Sequence, residues 1–424
     1  MLHPDTQAIL LLCGSLGRPR ASEAPLTLSE YNQVAQWLQQ QQLRPADLLA
    51  PAGLLQVQTA DPPLPLGERI ASLIARGTAL ALAVEHWTNQ GLWVVGRSDP
   101  SYPQLLRARL GRQAPPILYG VGEHSLLEYG GLAVVGARDA DEAALTFTRT
   151  VAHACALQGV AVVSGGARGV DSAAMQAALD GAGNVLGVLA DSLARTAVAG
   201  KYRAALRTGR LVLVSPYDPE AGFNTGNAMN RNKAIYALSD FALVVCSNLE
   251  QGGTWHGAIE NLRRAWVPLF VRTAVPQSPG NQRLIELGGL TLDQAALSHA
   301  VSLDAWLAGR ELATATPLAF DAPPLEAAPR PLDAPSEPVT PPIPPPETAP
   351  IDLFTVVWPH IEQALTVAHT DRQVAERFQL ELKQAQTWLQ RAVALGLIRK
   401  LSKPVRYLVA TSPDQPLPLF GHRS

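Results

Sequence analysis

The stretch Val160-Ala161-Val162-Val163-Ser164-Gly165-Gly166-Ala167-Arg168-Gly169-Val170-Asp171 decides how the chain is read. Its first four residues predict a buried strand, its three glycines a turn where backbone comes close to a ligand, and Val170-Asp171 the start of a helix. A helix start presents N–H groups that no earlier turn can satisfy, so it favours an anion, commonly a phosphate. Arg168 adds a planar donor fork, and Asp171 is placed either to cap the helix or to hydrogen-bond a sugar.

Similar apolar runs lie on both sides of this loop, at 132–135, 185–189, 211–214, 241–246 and 267–271. Helical patterns separate them at 141–157, 171–180, 198–208, 228–239 and 255–265. Short unbroken apolar strands alternating with helices predict a doubly wound α/β fold, its parallel sheet covered on both faces. Two further runs, at 92–95 and 115–120, precede this set. Upstream, 26–43 and 69–90 carry apolar residues at helical spacing, so residues 1–91 read as a helical N-terminal domain and 92–312 as the α/β core.

Beyond the core the composition shifts. Residues 317–350 hold 13 of the chain's 35 prolines and a single aromatic, Phe320. Such a segment packs no core, so 313–350 reads as an extended linker. Residues 351–411 then show three helical patterns followed by two short strands, the order of a winged helix, and 412–424 reads as a flexible tail. Between 371 and 410 there are eight Lys or Arg against three acids. That local excess of positive charge is hidden in a formal net charge of −2 for the whole chain.

Composition narrows the function further. Cys13, Cys155 and Cys246 are far apart and lie in apolar runs, so they read as buried thiols of a reducing compartment rather than as metal ligands. The apolar run 8–13 resembles a short secretory segment ending at a cysteine. No Lys or Arg precedes it, and it reads instead as a buried first helix. No apolar run reaches the length of a membrane span. A cytoplasmic protein with no membrane contact is expected. The sequence offers no metal cluster, activated nucleophile or phosphate-loop lysine, so neither a cofactor nor catalysis is expected.

Four strand ends carry the candidate site. Gly136-Ala137-Arg138 closes one strand, and Ser164 to Asp171 closes the next. Arg231-Asn232-Lys233 lies at the start of a later helix, and Gly252-Gly253-Thr254 follows the run 241–246. Ligands of such sheets sit beyond the carboxyl ends of the strands. Two glycine turns with basic and amide side chains there suit a phosphodiester or a nucleotide. The G-G-x-x-G spacing differs from the dinucleotide fingerprint, and no acid closes the next strand before Asp191. Tyr236 and Trp255 are the nearest aromatic candidates for base stacking.

These motifs, together with Tyr102-Pro103, Pro115 to Gly120 and Ile235 to Ser239, occur in an order that resembles the DNA-processing protein A (DprA/Smf) family. The resemblance covers residues 92–273, and the linker and winged helix are similar to that family's optional C-terminal domain. It implies a Rossmann-like fold, binding of single-stranded DNA, a homodimer, and transfer of the strand to a RecA-type recombinase during DNA uptake, with foreign-DNA defence the role of a divergent branch. Carried over by position, Arg138, Gly165, Gly166, Arg168, Gly169, Arg231, Asn232, Lys233, Gly252 and Gly253 would line the phosphate pocket. The chain departs from the family pattern at Ala137, where the family has Ser, and at Met175, where it has His. It departs again at Leu193 to Arg203, which replaces a Tyr-Pro segment, and in the approach to Arg231 from Phe223.

Three other readings stand beside this one. Met229 to Lys233 and Gly252-Gly253-Thr254 with Glu260 faintly resemble the cytokinin-activating phosphoribohydrolase family, which implies a nucleotide-binding sensor or hydrolase. In the winged helix, Lys383, Lys400 and Lys403 are the expected DNA contacts. In the tail, Gln415, Leu417, Leu419 and Phe420 resemble the peptides that dock on the bacterial sliding clamp.

Overall fold

A computed structural model of the chain describes residues 2–16, 23–60, 66–293, 307, 309, 358, 361, 365, 368–378, 382–395, 397–401 and 406–409. The chain divides into two compact units, 1–325 and 326–424.

In the first unit, the helices α1 (Pro4–Cys13), α2 (Leu28–Gln40), α3 (Pro51–Gln58), α4 (Gly67–Ile74) and α5 (Gly77–Asn89) precede an alternation of strands and helices. That alternation runs β1 (Trp93–Gly96), α6 (Gln104–Leu110), β2 (Ile117–Gly122), β3 (Leu132–Val135), α7 (Glu142–Leu157), β4 (Val162–Ser164) and α8 (Val170–Asp180). It continues with β5 (Val185–Val188), α9 (Leu193–Ala197), α10 (Gly200–Arg207), β6 (Leu211–Ser215), α11 (Thr225–Ala237) and β7 (Phe241–Val244). It closes with α12 (Gly252–Arg264), β8 (Leu269–Arg272), α13 (Pro279–Glu286) and β9 (Leu290–Leu292).

Among the described residues these strands form one nine-stranded sheet in the order β1-β2-β6-β5-β4-β3-β7-β8-β9. All neighbours from β6 to β9 are parallel. The exception is β2, which runs antiparallel to both β1 and β6 and corrects the reading of a uniformly parallel sheet at that edge. Every residue of β3 to β7 is buried, because successive side chains point to opposite faces and both faces are covered. Leu132, Val134, Val162, Leu211 and Leu243 join the core shared with α7 and α8. Ala133, Val135, Val163, Val212 and Val244 join the opposite core with α6, α11 and α12.

The N-terminal helices extend the first of these cores rather than building their own. Ile9, Leu10, Leu12, Tyr31, Val34 and Trp87 share one apolar cluster with Ile117, Tyr119 and Val121 of β2. Trp87 meets Tyr119 edge to face at 5.1 Å. The buried Thr6 hydroxyl donates to Asp99 at 2.8 Å and accepts the Gly96 N–H at 3.0 Å, fixing α1 to the end of β1. The run 8–12 is fully internal, as expected of a buried first helix. The single helix read over 69–90 is two helices. The chain breaks at Ala75-Arg76, where the Arg76 guanidinium donates to the carbonyls of Leu11 and Gly14 at the end of α1.

The second unit contains α14 (Asp371–Arg377), α15 (Leu382–Ala394) and the antiparallel pair β10 (Ile398–Leu401) and β11 (Arg406–Val409). Thr370 and Gln373 form a capping box that starts α14. His369 and Tyr407 exchange two backbone hydrogen bonds, adding a bridge beside β11. Val374, Ala385, Leu389, Ile398 and Tyr407 pack with Trp358, Ile361 and Leu365 as this unit's core.

Candidate functional site

Strand order places the site. From β3 the chain winds outward through β4, β5 and β6, then crosses back to lay β7 on the other side of β3. The loops leaving β3 and β7 therefore diverge, and the crevice between them is where ligands of open α/β sheets bind. A cavity of about 380 Å³ occupies that crevice, lined by Gly136, Arg138 and Asp171 on one side and by Gln251, Gly252, Gly253 and Thr254 on the other. The cap position of α12, Gln251, makes no side-chain hydrogen bond to the helix start, so the first-turn N–H groups there face the cavity uncapped.

The glycine loop is shaped by close approach. A Cβ on Gly165 would stand 1.6 Å from Nη1 of Arg231 and 2.6 Å from Oδ2 of Asp171. Gly169, at φ +89°, adopts a left-handed conformation, and a Cβ there would meet the Ala137 carbonyl at 2.5 Å. The β3 and β4 loops are thus nested against each other. Ser164 belongs to this nesting, not to the cavity wall: it is buried, and its hydroxyl donates to the Val134 carbonyl at 2.7 Å.

A buried charge pair lies beneath the loop. Arg231 is only 5% exposed and donates from Nη1 to the Val188 carbonyl at 2.8 Å. Burial pulls its pKa down, while Asp171 favours its charge. Burial raises the Asp171 carboxyl to about 6, against the opposing pull of Arg231 and of the N–H groups of Ala167, Gly136 and Gly165. Nε of Arg231 and the hydroxyl of Tyr236 are buried without a hydrogen-bond partner among the described residues, and both residues line the crevice cavity.

Two more cavities continue from the first. One of about 520 Å³ lies over the glycine loop and is lined by Arg138, Arg168, Arg195, Lys201 and Arg231, with Asp191 as its single acid. The next, of about 530 Å³, follows the α7–α8 face and shares Arg138, Arg168 and Lys201 with it. Arg138 lines all three. Low-dielectric walls lined by one sign of charge focus the field and concentrate anions.

A family model described as DNA recombination-mediator protein A matches residues 93–298, the sheet and the loops just described. Over that stretch, just under half of its length, the chain is similar to that family. It is 34% identical over 149 residues to a DNA processing protein DprA of Mycobacterium tuberculosis, covering 34% of this chain and 38% of that protein. It therefore spans little more than a third of that relative's length. It is 25% identical over 263 residues to the DNA processing protein DprA of Bacillus subtilis, covering 57% of this chain and 86% of that one. It is also similar to the structure of DprA from Streptococcus pneumoniae, with a TM-score of 0.49 and 20% identity over 69% of this chain and 95% of that chain.

Within this core, most of the residues singled out by sequence converge. Gly136, Arg138, Asp171, Arg231, Asn232, Gly252, Gly253 and Thr254 line the crevice cavity, and Gly165, Gly166 and Arg168 line the basic one. Gly169 lies with Arg168 in the third. Asn232 also donates to the Gly253 carbonyl at 3.0 Å, tying α11 to the start of α12. Lys233 is not brought in. One position further along α11 than Asn232, it ion-pairs with Glu260 at 3.2 Å and donates to Gln113 at 3.3 Å.

The aromatic candidates also move. Trp255 and Tyr236 are 8% and 1% exposed and are part of the core. Arg195 and Lys201 were missed because they lie on α9 and α10, where no glycine motif draws attention. Their signal was the basic spacing inside the segment 193–203 that departs from the family pattern. Lys383 and Lys400 lie on α15 and β10, but their side chains are outside the described residues, as are Lys403, Gln415, Leu417, Leu419 and Phe420.

Among the described residues, no helix is long and apolar enough to cross a membrane, and no cluster of His, Cys, Asp and Glu has the grouping of a metal site.

Proposed function

We propose that this chain binds single-stranded DNA across the basic and crevice cavities and acts in DNA processing during uptake or recombination. The observation that carries this is the arrangement around Arg138. Four exposed cations (Arg138, Arg168, Arg195 and Lys201) line the path over the glycine loop, and none is ion-paired among the described residues. Such a groove tracks a phosphate backbone without reading sequence, and its affinity falls with salt. The recombination-mediator family supports the role.

In this reading the chain works by binding rather than catalysis. Glu260, the acid of the hydrolase-like alternative, is held by Lys233 outside the cavities. The protein is a cytoplasmic homodimer that hands the strand to a RecA-type recombinase, or serves foreign-DNA defence. Residues 1–91 and 92–312 form its helical and Rossmann-like parts, 313–350 a linker and 351–411 a winged helix contacting DNA through Lys383, Lys400 and Lys403. The tail, 412–424, docks on the sliding clamp through Gln415, Leu417, Leu419 and Phe420.

A second reading, a nucleotide-binding sensor, is favoured by one feature. The crevice cavity, about 380 Å³, holds two buried polar atoms, Arg231 Nε and Tyr236 Oη, that lack partners among the described residues. Binding of oligothymidylate, duplex DNA and free nucleotides to wild type and to Arg138→Ala/Arg168→Ala decides between them. The first reading expects tight single-strand binding that the double variant weakens. Undiminished DNA binding by the variant sinks it, and nucleotide binding that single strands fail to displace supports the second.

A further inference from the structure

The exposed aromatic at the site is one that the strand-end motifs do not include. Phe223 is 57% exposed. It stands on the wall common to the crevice cavity and the basic cavity, together with Arg138, Ala167, Ala228 and Arg231. The Arg138 guanidinium lies over its ring, 5.2 Å from the centroid. The ring is positioned by the helix that follows. Asn224 caps α11 by accepting the Asn227 N–H at 3.1 Å, which fixes the backbone one residue beyond Phe223.

We propose that Phe223 is a stacking platform for a nucleobase of a bound single strand, with Arg138 bridging its ring and the neighbouring phosphate. This rests on the reading of the cavities as a single-strand site and adds to it. A row of cations alone attracts any polyanion. An exposed aromatic ring among them adds a surface that only a ligand with flat bases can use. Every base has such a face, so the contact raises affinity without reading sequence. Arg138 is suited to both partners, since a guanidinium stacks on aromatic rings and pairs with phosphate through its edge.

The test compares oligothymidylate with an abasic oligomer of the same length, using fluorescence anisotropy on the full chain. Wild type prefers oligothymidylate. Phe223→Leu keeps an apolar side chain at an exposed position, so folding is retained. It loses about 5- to 150-fold in affinity for oligothymidylate and nothing for the abasic oligomer. Phe223→Trp retains the preference. Arg138→Ala/Arg168→Ala weakens binding of both oligomers. A halogenated-uracil oligomer, irradiated when bound, cross-links to the peptide carrying Phe223. If Phe223→Leu keeps the wild-type preference for bases, the stacking role is overturned while the single-strand site stands. If the double arginine variant binds like wild type, the site itself is wrong.

Discussion

Neutralising two of the cations that line the basic cavity changes more than affinity; it changes how affinity depends on salt. Arg138, Arg168, Arg195 and Lys201 are exposed and line this cavity. Each cation that meets a phosphate releases condensed counterions, at about 0.7 per contact for a single strand, so four contacts give a log–log salt slope of about −3. Raising salt from about 50 to about 200 mM then weakens binding roughly 50-fold. In Arg138→Ala/Arg168→Ala two contacts remain, the slope falls to about −1.4, and the same salt step costs roughly sevenfold. Lys233→Ala is the internal control. Its ammonium is engaged by Glu260 and Gln113 outside the cavities, so this variant keeps the full slope. Anisotropy titrations of labelled oligothymidylate at a series of salt concentrations measure all three. A double variant with the wild-type slope, or a Lys233→Ala chain with a reduced one, refutes the assignment of the phosphate path.

Two other outcomes follow from the loop geometry. Gly165→Ala puts a methyl group on the Arg231 guanidinium, which must leave the Val188 carbonyl; losing that charged hydrogen bond lowers stability by about 2 kcal/mol, seen as an earlier denaturation midpoint, and an unchanged midpoint contradicts the packing. Asp171 titrates near 6 when folded, above its ordinary value of 3.8, so between these values the folded chain binds more protons than the unfolded one. Its contribution to stability therefore grows as pH falls from about 6 towards 3.8 and is lost as pH rises through 6. Protonation also removes a negative charge from the crevice wall, so oligothymidylate binding tightens below pH 6. Asp171→Asn flattens both dependences, and a variant that retains them shows another group to be responsible.

The strands were legible because four or five apolar residues bounded by glycine or a polar turn have few other places to go in a chain of this size. Their direction was not. The run that becomes β2 looks the same read either way, and only its place between β1 and β6 makes it antiparallel. The break between α4 and α5 was hidden because apolar spacing continues across it, while the Arg76 guanidinium at the break is held by two carbonyls more than sixty residues away. At the site, glycines at strand ends marked the loops correctly, since their need for space is local. Side-chain direction was harder. Asn232 and Lys233 are adjacent on α11, yet a single helical step sends one to the cavity and the other to Glu260. Tyr236 and Trp255 read as stacking candidates by proximity in sequence, but their helix faces turn into the core, leaving that exposure to Phe223.

The shared core of α1 and the sheet edge has a consequence for synthesis on the ribosome. The apolar segment Ile9 to Leu12 is made before the strands that help bury it. Ser15, just beyond α1, finds its hydrogen-bond partner Asp218 only after 203 more residues have been added. At about 5–20 residues per second, that interval is about 10–40 s. Through much of it the nascent chain can cover α1 only with the helices that follow, through Tyr31, Val34 and Trp87. The cover of the first helix is therefore completed only when the sheet forms.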